Sequence, residues 1–213
     1  MIDPDRLVSS RARSVDVSGI RRAFHLGATL ENPINLSIGQ PDFGVPESLT
    51  RATIKAIEDG HNGYTMTGGA HDLRVAVADN LRHDVDWTIG GGESDLIITS
   101  GTSGALLLAF MVLCEEGCEA IVADPYFVIY PTLGPMTGPK IVLCDTYPDF
   151  RMTAERVEPL ITDKTRVLLL NTPSNPTGVV LSDSEISDLV DLCERRGIML
   201  ISDEIYDLFT FAD

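Results

Sequence analysis

Residues 168–206 read LLLNTPSNPTGVVLSDSEISDLVDLCERRGIMLISDEIY, and this stretch decides the fold of the chain. The apolar run at residues 167–170 is closed by turn-forming residues, which predicts a strand buried on both faces. A helix is expected to follow, because Ser182 or Asp183 can cap its start and Gly197 can end it. The stretch therefore begins with a strand and continues as a helix.

The end of the stretch predicts a second buried strand, at residues 198–201, and hence a strand, helix, strand unit with parallel strands. In that unit Asn175 and Asp203 both lie just beyond the carboxyl ends of strands. Open α/β sheets bind their ligands at this edge. Asn175 and Asp203 are therefore the first candidate site residues, although each alone also fits a turn former or a helix cap.

Strands and helices alternate through the chain from residue 95 onward. The predicted strands are residues 95–99, 119–123, 140–144 and 165–170, and the predicted helices are residues 105–113 and 153–161. This alternation predicts an α/β fold, a three-layer α/β/α arrangement with a mainly parallel sheet. Before residue 95, the pattern indicates a short strand at residues 35–38, helices at residues 18–25 and 71–82, and a helix capped by Ser48 and ended by Gly60.

Composition argues against several classes of protein. The formal net charge of the 213 residues is −16, which argues against nucleic acid or an anionic membrane as a partner. The longest apolar run, residues 105–114, is about half as long as a membrane span, and residues 1–18 lack a signal-peptide core. The four cysteines lack a paired metal spacing and are expected to be reduced and structural. We expect a cytoplasmic protein without a bound metal.

A segment rich in glycine and hydroxyl groups, Ser100-Gly101-Thr102-Ser103-Gly104, leads into a strongly apolar helix. Backbone N–H groups, hydroxyls and the helix dipole converge there, so Gly101, Thr102 and Ser103 are candidates for binding a phosphate. The segment is not a nucleotide P-loop or a dinucleotide-binding loop, because it lacks the lysine of the first and the third glycine of the second. The alternative interpretation is a tight turn.

Three aromatic residues, Tyr126, Phe127 and Tyr130, follow the strand predicted at residues 119–123. An aromatic face at the carboxyl end of a strand can stack on a planar ring. The alternative is burial in the core, where aromatic residues are often found.

The predicted strand ends together offer a phosphate site, an aromatic face, the Asn175 amide, the Asp203 carboxylate and the Tyr206 phenol. A flat, phosphorylated heteroaromatic ligand with a ring nitrogen and a ring hydroxyl would use all of these groups. Pyridoxal phosphate is such a ligand. A buried Asp203 would keep its ring nitrogen protonated, because the ion pair favours both charged forms.

Six motifs carry a resemblance to a known family. They are GQPDF from Gly39, YTMTGG from Tyr64, SGTSGALLLAF from Ser100, DPYFVIYP from Asp124, NTPSNPTG from Asn171 and SDEIY from Ser202. In this order and spacing the chain resembles the class I and II aminotransferases, which are fold type I pyridoxal-phosphate enzymes. The resemblance covers nearly all of the chain from about residue 34 onward, and it implies the large domain of that fold in incomplete form.

The resemblance implies roles for the matching residues. Gly101, Thr102 and Ser103 would hold the cofactor phosphate, and Phe127 would stack on the ring. The other implied contacts are Asn175 and Tyr206 with the ring hydroxyl, Asp203 with the ring nitrogen, and Gly39 and Asn175 with the substrate. Tyr64 would reach the phosphate in a neighbouring subunit, which implies a homodimer acting on an amino acid and a 2-oxo acid.

The chain departs from the family in one large respect. It ends before the position where the family has its Schiff-base lysine, and none of its three lysines, Lys55, Lys140 and Lys164, lies in the matching context. We therefore assign no catalytic residue and expect the chain alone not to transaminate. We expect residues 1–45 to be an arm with the first substrate loop and residues 46–213 to be a truncated cofactor-binding domain.

Two alternatives stay open at this point. One is a non-catalytic fragment or a half that depends on a partner chain. The other is a different fold type I reaction, such as a lyase or a synthase that closes a cyclopropane ring. The GQPDF loop resembles that of the aspartate, aromatic and prephenate aminotransferases, but the sequence does not identify the amino donor.

Overall fold

The computed structural model describes residues 3, 6–15, 26–27, 29–32, 34, 39, 41–92 and 94–211. The chain forms two compact units. The larger unit consists of Met1–Ser18 and Gly101–Asp213, and the smaller unit is Gly19–Ser100. The domain boundary expected at residue 45 is not a boundary between these units, and that domain assignment stays a prediction.

The larger unit alternates helices and strands along the chain. After the short helix α1 (Ser10–Arg13), its elements are α4 (Gly101–Leu113), β1 (Glu119–Asp124), α5 (Tyr130–Thr137), β2 (Lys140–Asp145), α6 (Ala154–Val157), β3 (Thr165–Asn171), α7 (Asp183–Arg196) and β4 (Met199–Asp203). A single 3₁₀ turn, Glu158–Leu160, extends α6. The smaller unit contains α2 (Glu47–Glu58) and α3 (His71–Val85).

The sheet is parallel throughout, with the strand order β2-β1-β3-β4. Successive residues of β3 point to opposite faces, as the two-residue period of a strand requires. Val167 and Leu169 enter a core shared with α4 and α5, whereas Leu168 and Leu170 enter a core shared with α6 and α7. Both faces of the sheet are therefore covered by helices, which confirms the predicted three-layer α/β architecture.

Helix α7 is the helix predicted within residues 168–206. Ser182 is its N-cap, and Ser182 and Glu185 form a reciprocal capping box. Gly197 ends the helix in the left-handed conformation with φ of 66°. Local capping chemistry therefore sets both ends of α7, and the chain returns directly into β4.

Several sequence-based predictions are wrong in detail. Residues 95–99 are not a strand: they have no regular secondary structure, and the Ile98 N–H donates to the Gly68 carbonyl at 2.9 Å. An apolar run becomes a strand only where a neighbouring strand offers a ladder. Ser48 is not a cap, because α2 begins at Glu47 and its N-cap is Pro46.

Two further differences concern helices near the candidate site. Helix α4 begins at Gly101, so the predicted glycine- and hydroxyl-rich loop is the first turn of the helix. Helix α5 was not predicted at all, since two prolines and a glycine within its eight residues are untypical of a helix; its first residue is Tyr130. The strand expected at residues 35–38 and the helix expected at residues 18–25 lie outside the described residues. Among the helices that are described, none is long and apolar enough to cross a membrane.

Gly138 is a glycine whose replacement the fold should tolerate poorly, because its closest neighbours are backbone atoms. It follows α5 with φ of 116°, and a Cβ there would lie 2.8 Å from the Glu116 nitrogen and 2.9 Å from the Glu115 carbonyl carbon. We expect Gly138→Ala to lower the free energy of unfolding by more than the roughly 1–3 kcal/mol that backbone strain alone costs, because the backbone clash adds to the strain. Urea denaturation measures this loss.

The matched control for this prediction is Gly197→Ala. Gly197 also has positive φ, at 66°, but a Cβ there meets no atom within 4 Å. It should therefore show only the conformational cost of about 1–2 kcal/mol. Equal losses for the two variants would contradict the clash at Gly138.

The ion pair between Arg151 and Glu185 predicts a loss of stability in acid. Hydrogen bonds from the Arg151 side chain, and then from the Ser182 backbone, lower the pKa of Glu185 from 4.5 to about 2. Because the pKa is depressed in the folded state, this pair stabilises the fold fully above about pH 4.5, and the contribution disappears as the pH falls toward 2.

We therefore expect the stability difference between the unmodified chain and Glu185→Gln to shrink steadily as the pH falls below 4.5. Urea denaturation midpoints between pH 7 and pH 3 (roughly the range where native carboxylates protonate) would measure it. Glu194→Gln, at an exposed position of the same helix, is the control and should show no such trend. A difference that does not change with pH would contradict this account.

Candidate active site

Asp203, the last residue of β4, is a buried carboxylate at the carboxyl edge of the sheet. Only 5% of the residue is exposed. Its Oδ2 accepts a hydrogen bond of 2.9 Å from the hydroxyl of Tyr130, which is itself 3% exposed. Its Oδ1 accepts a longer contact, 3.4 Å, from the Ile205 N–H. A buried carboxylate requires such partners, because desolvation without them is costly.

Tyr130 keeps its proton in this arrangement. Burial, and then the neighbouring Asp203 carboxylate, raise the pKa of Tyr130 above its ordinary value. The phenol therefore donates to Asp203 throughout the physiological range of pH. Sequence reasoning placed Tyr130 only in an aromatic cluster, because a contact between residues 73 apart in the chain leaves no local signal.

The loop after β3 is tied to the loop after β4 by side-chain amides. Asn171, which is paired in register with Asp203, donates from Nδ2 to the Asp203 carbonyl at 2.8 Å. The Asn171 Oδ1 accepts from the Asn175 N–H at 2.8 Å. Asn175 Nδ2 in turn donates to the Tyr206 hydroxyl at 3.2 Å. The structure therefore brings Asn175, Asp203 and Tyr206 to one edge of the sheet through Asn171, a residue that was not singled out from the sequence.

A cavity of about 350 Å³ lies between α4 and the end of β4. It is lined by Thr102, Ala105, Leu106 and Ala109 from the helix, and by residues 201–205. Thr102 and Asp203 therefore share one cavity, as expected if one ligand contacts both. Gly101, Thr102 and Ser103 form the first turn of α4, where backbone N–H groups and the positive end of the helix dipole favour an anion.

Phe127 and Asn175 do not line this cavity. Phe127 packs edge to face on Tyr130, with ring centroids 5.8 Å apart, and contacts the core shared by α4 and α5. The aromatic residues are thus connected to Asp203 through Tyr130. Tyr130 is buried in the core, as the alternative interpretation expected, whereas Phe127 is only half-buried and its stacking on a ring stays a prediction.

The lysines of the larger unit lie at the wrong edge for this site. Lys140 begins β2 and Lys164 immediately precedes β3, so both are at the amino ends of strands whose carboxyl ends lead to Asp203. Lys55, in the smaller unit, pairs with Asp59 at 2.7 Å. Gly39 and Tyr64 are exposed residues of the smaller unit, and their roles remain predictions.

The Tyr130 to Asp203 hydrogen bond yields a stability prediction. Tyr130→Phe keeps the ring but leaves Asp203 Oδ2 without its buried donor, so we expect the free energy of unfolding to fall by roughly 1–3 kcal/mol. Tyr126→Phe, at a more exposed ring of the same segment, is the matched control and should change little. Urea denaturation of both variants would check this, and equal effects would argue against a stabilising Tyr130 hydrogen bond.

The chain was compared with known proteins. Residues 31–213 match the family model described as "Aminotransferase class I and II". A probable N-acetyl-LL-diaminopimelate aminotransferase of Bacillus subtilis is 36% identical over 97% of this chain and 53% of its own length. An aspartate aminotransferase of the same organism is 32% identical over 96% of this chain and 52% of its own length.

Solved structures give the same result. The aspartate aminotransferase from Thermus thermophilus with maleate superimposes with a TM-score of 0.87 at 30% identity, over 97% of this chain and 55% of that one. The enzyme from Rhizobium meliloti gives 0.86 at 29% identity, over 96% of this chain and 52% of that one. The chain thus spans about half the length of the relatives that it matches.

The agreement extends from the family model to the three-dimensional fold. The family implies pyridoxal phosphate as the cofactor. From the matched residues and the superimposed α/β fold together, it follows that this chain belongs to the class I and II aminotransferase family.

Proposed function

We propose that this chain is the cofactor-binding half of a pyridoxal-phosphate-dependent aminotransferase, which transfers an amino group between an amino acid and a 2-oxo acid. The observation that carries the proposal is the Asp203 carboxylate, which is buried, held by Tyr130, and part of the same cavity as Thr102. An ionisable group kept in such a place has a functional interpretation, because a purely structural core would favour an apolar residue there.

The residues present fit the cofactor. The start of α4 suits the phosphate, the Asp203 carboxylate suits a protonated ring nitrogen, and the joined pair of Asn175 and Tyr206 suits the ring hydroxyl. Phe127 would stack on the ring. When bound, pyridoxal phosphate supplies an electron sink for negative charge that develops on the substrate.

The chain's own residues would act by position and by exclusion of water. Tyr130 donates to one oxygen of Asp203, which orients the carboxylate. Because Asp203 is almost fully buried, its interaction with a cation is screened little by solvent. Asn171 holds both the Asp203 backbone and the Asn175 backbone, so the amide and the carboxylate are positioned together.

The lysines of the larger unit do not provide a general base at the site. Lys140 and Lys164 lie at the opposite edge of the sheet, and the transfer of a proton at the substrate's α-carbon requires a basic group close to that atom. We propose that the second half of the family fold supplies this basic group, as the family's Schiff-base lysine, and completes the activity. The proposal includes Gly39 and Asn175 as substrate contacts, Tyr64 as a contact to the phosphate in a homodimer, and a cytoplasmic location.

In a second candidate function, the chain is a non-catalytic half of the fold that only pairs with another polypeptide. Helix α4 has no charged residue, and its side chains Leu108, Met111 and Val112 are more than half exposed. Within residues 94–211, β4 has a partner strand on one side only. An apolar helix face and an open strand edge favour association with another chain.

An absorbance titration of the purified chain with pyridoxal phosphate tests the first candidate. We expect binding without the absorbance change that attachment to a lysine produces, and we expect Asp203→Asn to weaken it by at least about tenfold, since a buried charge-assisted contact contributes roughly 1.5–3 kcal/mol. Asp207→Asn, at an exposed residue four positions on, is the control. Equal affinity of the Asp203→Asn variant, or no binding, would favour the second candidate.

An activity assay with an amino donor and 2-oxoglutarate completes the test. We expect no turnover by the chain alone, because no lysine of the larger unit lies at the carboxyl edge. Turnover that survives replacement of Lys55, Lys140 and Lys164 by arginine would contradict the assignment of the base to the second half.

A further inference from the structure

Two of the four cysteines lie together in the turn that joins α4 to β1. The Cys118 N–H donates to the Glu115 carbonyl at 3.3 Å, and the Glu115 N–H donates to the Cys118 Sγ at 3.4 Å. The turn therefore folds the Cys118 sulfur back toward Cys114. Cys114 and Cys118 belong to the core shared by α4 and α5, whereas Cys144 and Cys193 belong to the core on the other face of the sheet.

The Cys118 sulfur lies close to the backbone of Cys114. The nitrogen of Glu115 is separated from the Cα of Cys114 by only one carbonyl carbon, a distance of about 2.4 Å. Added to the 3.4 Å contact, this places the Cys118 Sγ within about 6 Å of the Cys114 Cα.

Burial makes these thiols slow to react one at a time. Cys114 is 8% exposed and Cys118 is 6% exposed. Burial, and then the neighbouring Cys118, raise the pKa of Cys114 to about 12, so this thiol is protonated at neutral pH. Since the thiolate is the nucleophile, this thiol should react slowly with alkylating agents and small disulfides.

One of the two cysteines is accessible from a cavity. Cys114 lines a space of about 610 Å³ at the amino edge of the sheet, away from Asp203. Residues of α1, of the turn after α4 and of α5 form its walls, including Arg11, Glu115 and Gly134. The cavity is large enough for a small aromatic group, so a compact ligand can approach Cys114 without unfolding the turn.

We infer that Cys114 and Cys118 form a dithiol site for a thiophilic ligand that requires two protein sulfurs, namely a monosubstituted trivalent arsenical. The described residues contain no cluster of three or more histidine, cysteine or acidic side chains arranged to hold a metal, whereas a structural zinc site takes four ligands. A trivalent arsenic atom that already carries one organic group needs two sulfurs only, and this turn supplies two.

The binding step involves no change of oxidation state. In the reaction with an arsine oxide, two As–S bonds form and the bond from arsenic to its oxide oxygen breaks. That oxygen leaves as one water molecule with the two thiol protons, and arsenic stays trivalent. Because protons leave with the oxygen, the reaction consumes the thiols in their protonated form, which is the form that burial favours at Cys114.

The test is one equivalent of phenylarsine oxide added to the folded 213-residue chain, followed by intact mass measurement and tryptic mapping. We expect one adduct per chain, formed with loss of one water and located on the tryptic peptide 83–140, which contains both cysteines. Cys144 and Cys193 lie on the separate peptides 141–151 and 167–195. A small 1,2-dithiol should remove the adduct, and a monothiol at the same concentration should not.

Substitutions test whether binding of the arsenical requires both Cys114 and Cys118. Cys114→Ser and Cys118→Ser should each weaken binding at least tenfold, whereas the double variant Cys144→Ser, Cys193→Ser should bind like the unmodified chain. Circular dichroism verifies that each variant folds. The peptide map of the unmodified chain tests the inference even if a variant does not fold. An adduct on another peptide, undiminished binding by Cys114→Ser, or an adduct formed only in urea would overturn the inference. None of these readouts depends on the proposed aminotransferase function.

Discussion

The structure depends on the burial of β3 on both of its faces. Its apolar residues alternate between two helix layers, with Val167 and Leu169 in one core and Leu168 and Leu170 in the other. A parallel strand in this position needs β1 and β4 as neighbours and helices above and below, since the four apolar side chains at residues 167–170 all leave water. Once β3 is placed, the carboxyl ends of three adjacent strands meet at one edge.

That edge is polar although the strands leading to it are not. Asp203 ends β4 and Asn171 ends β3, and the register pairs these two residues directly. Their hydrogen bonds, with those of Tyr130 and Asn175, satisfy groups that would otherwise be costly to bury. The same contacts that stabilise the edge also hold a carboxylate in a fixed position beside the start of α4, so stability and the proposed chemistry depend on shared residues.

The two edges of the sheet differ in character. The carboxyl edge carries the cavity lined by Thr102 and Asp203, which suits a charged, phosphorylated ligand. The amino edge carries Lys140 at the start of β2, Lys164 just before β3, and the turn with Cys114 and Cys118. The proposed cofactor site concerns the first edge, whereas the proposed dithiol site lies at the second.

Local chemistry in the sequence determined much of this fold. The apolar runs predicted four of the strands, Ser182 and Gly197 predicted the ends of α7, and the positions of Asn175, Asp203 and Tyr206 after strands predicted that they would meet at one edge. Each of these features depends on residues a few positions apart or on the direction of a strand. The six motifs determined the family for the same reason, because their order and spacing are linear properties of the chain.

Only the tertiary structure decided the rest. Residues 95–99 are apolar enough for a strand, but a strand requires a neighbour and the described sheet contains four others. Tyr130 reaches Asp203 because α5 begins where β1 ends and the sheet brings β4 nearby, and no pattern along the chain records that distance. Cys114 and Cys118 become a pair only because the turn after α4 folds one sulfur back toward the other. Contacts of this kind arise from packing, which a linear pattern of polar and apolar residues does not specify.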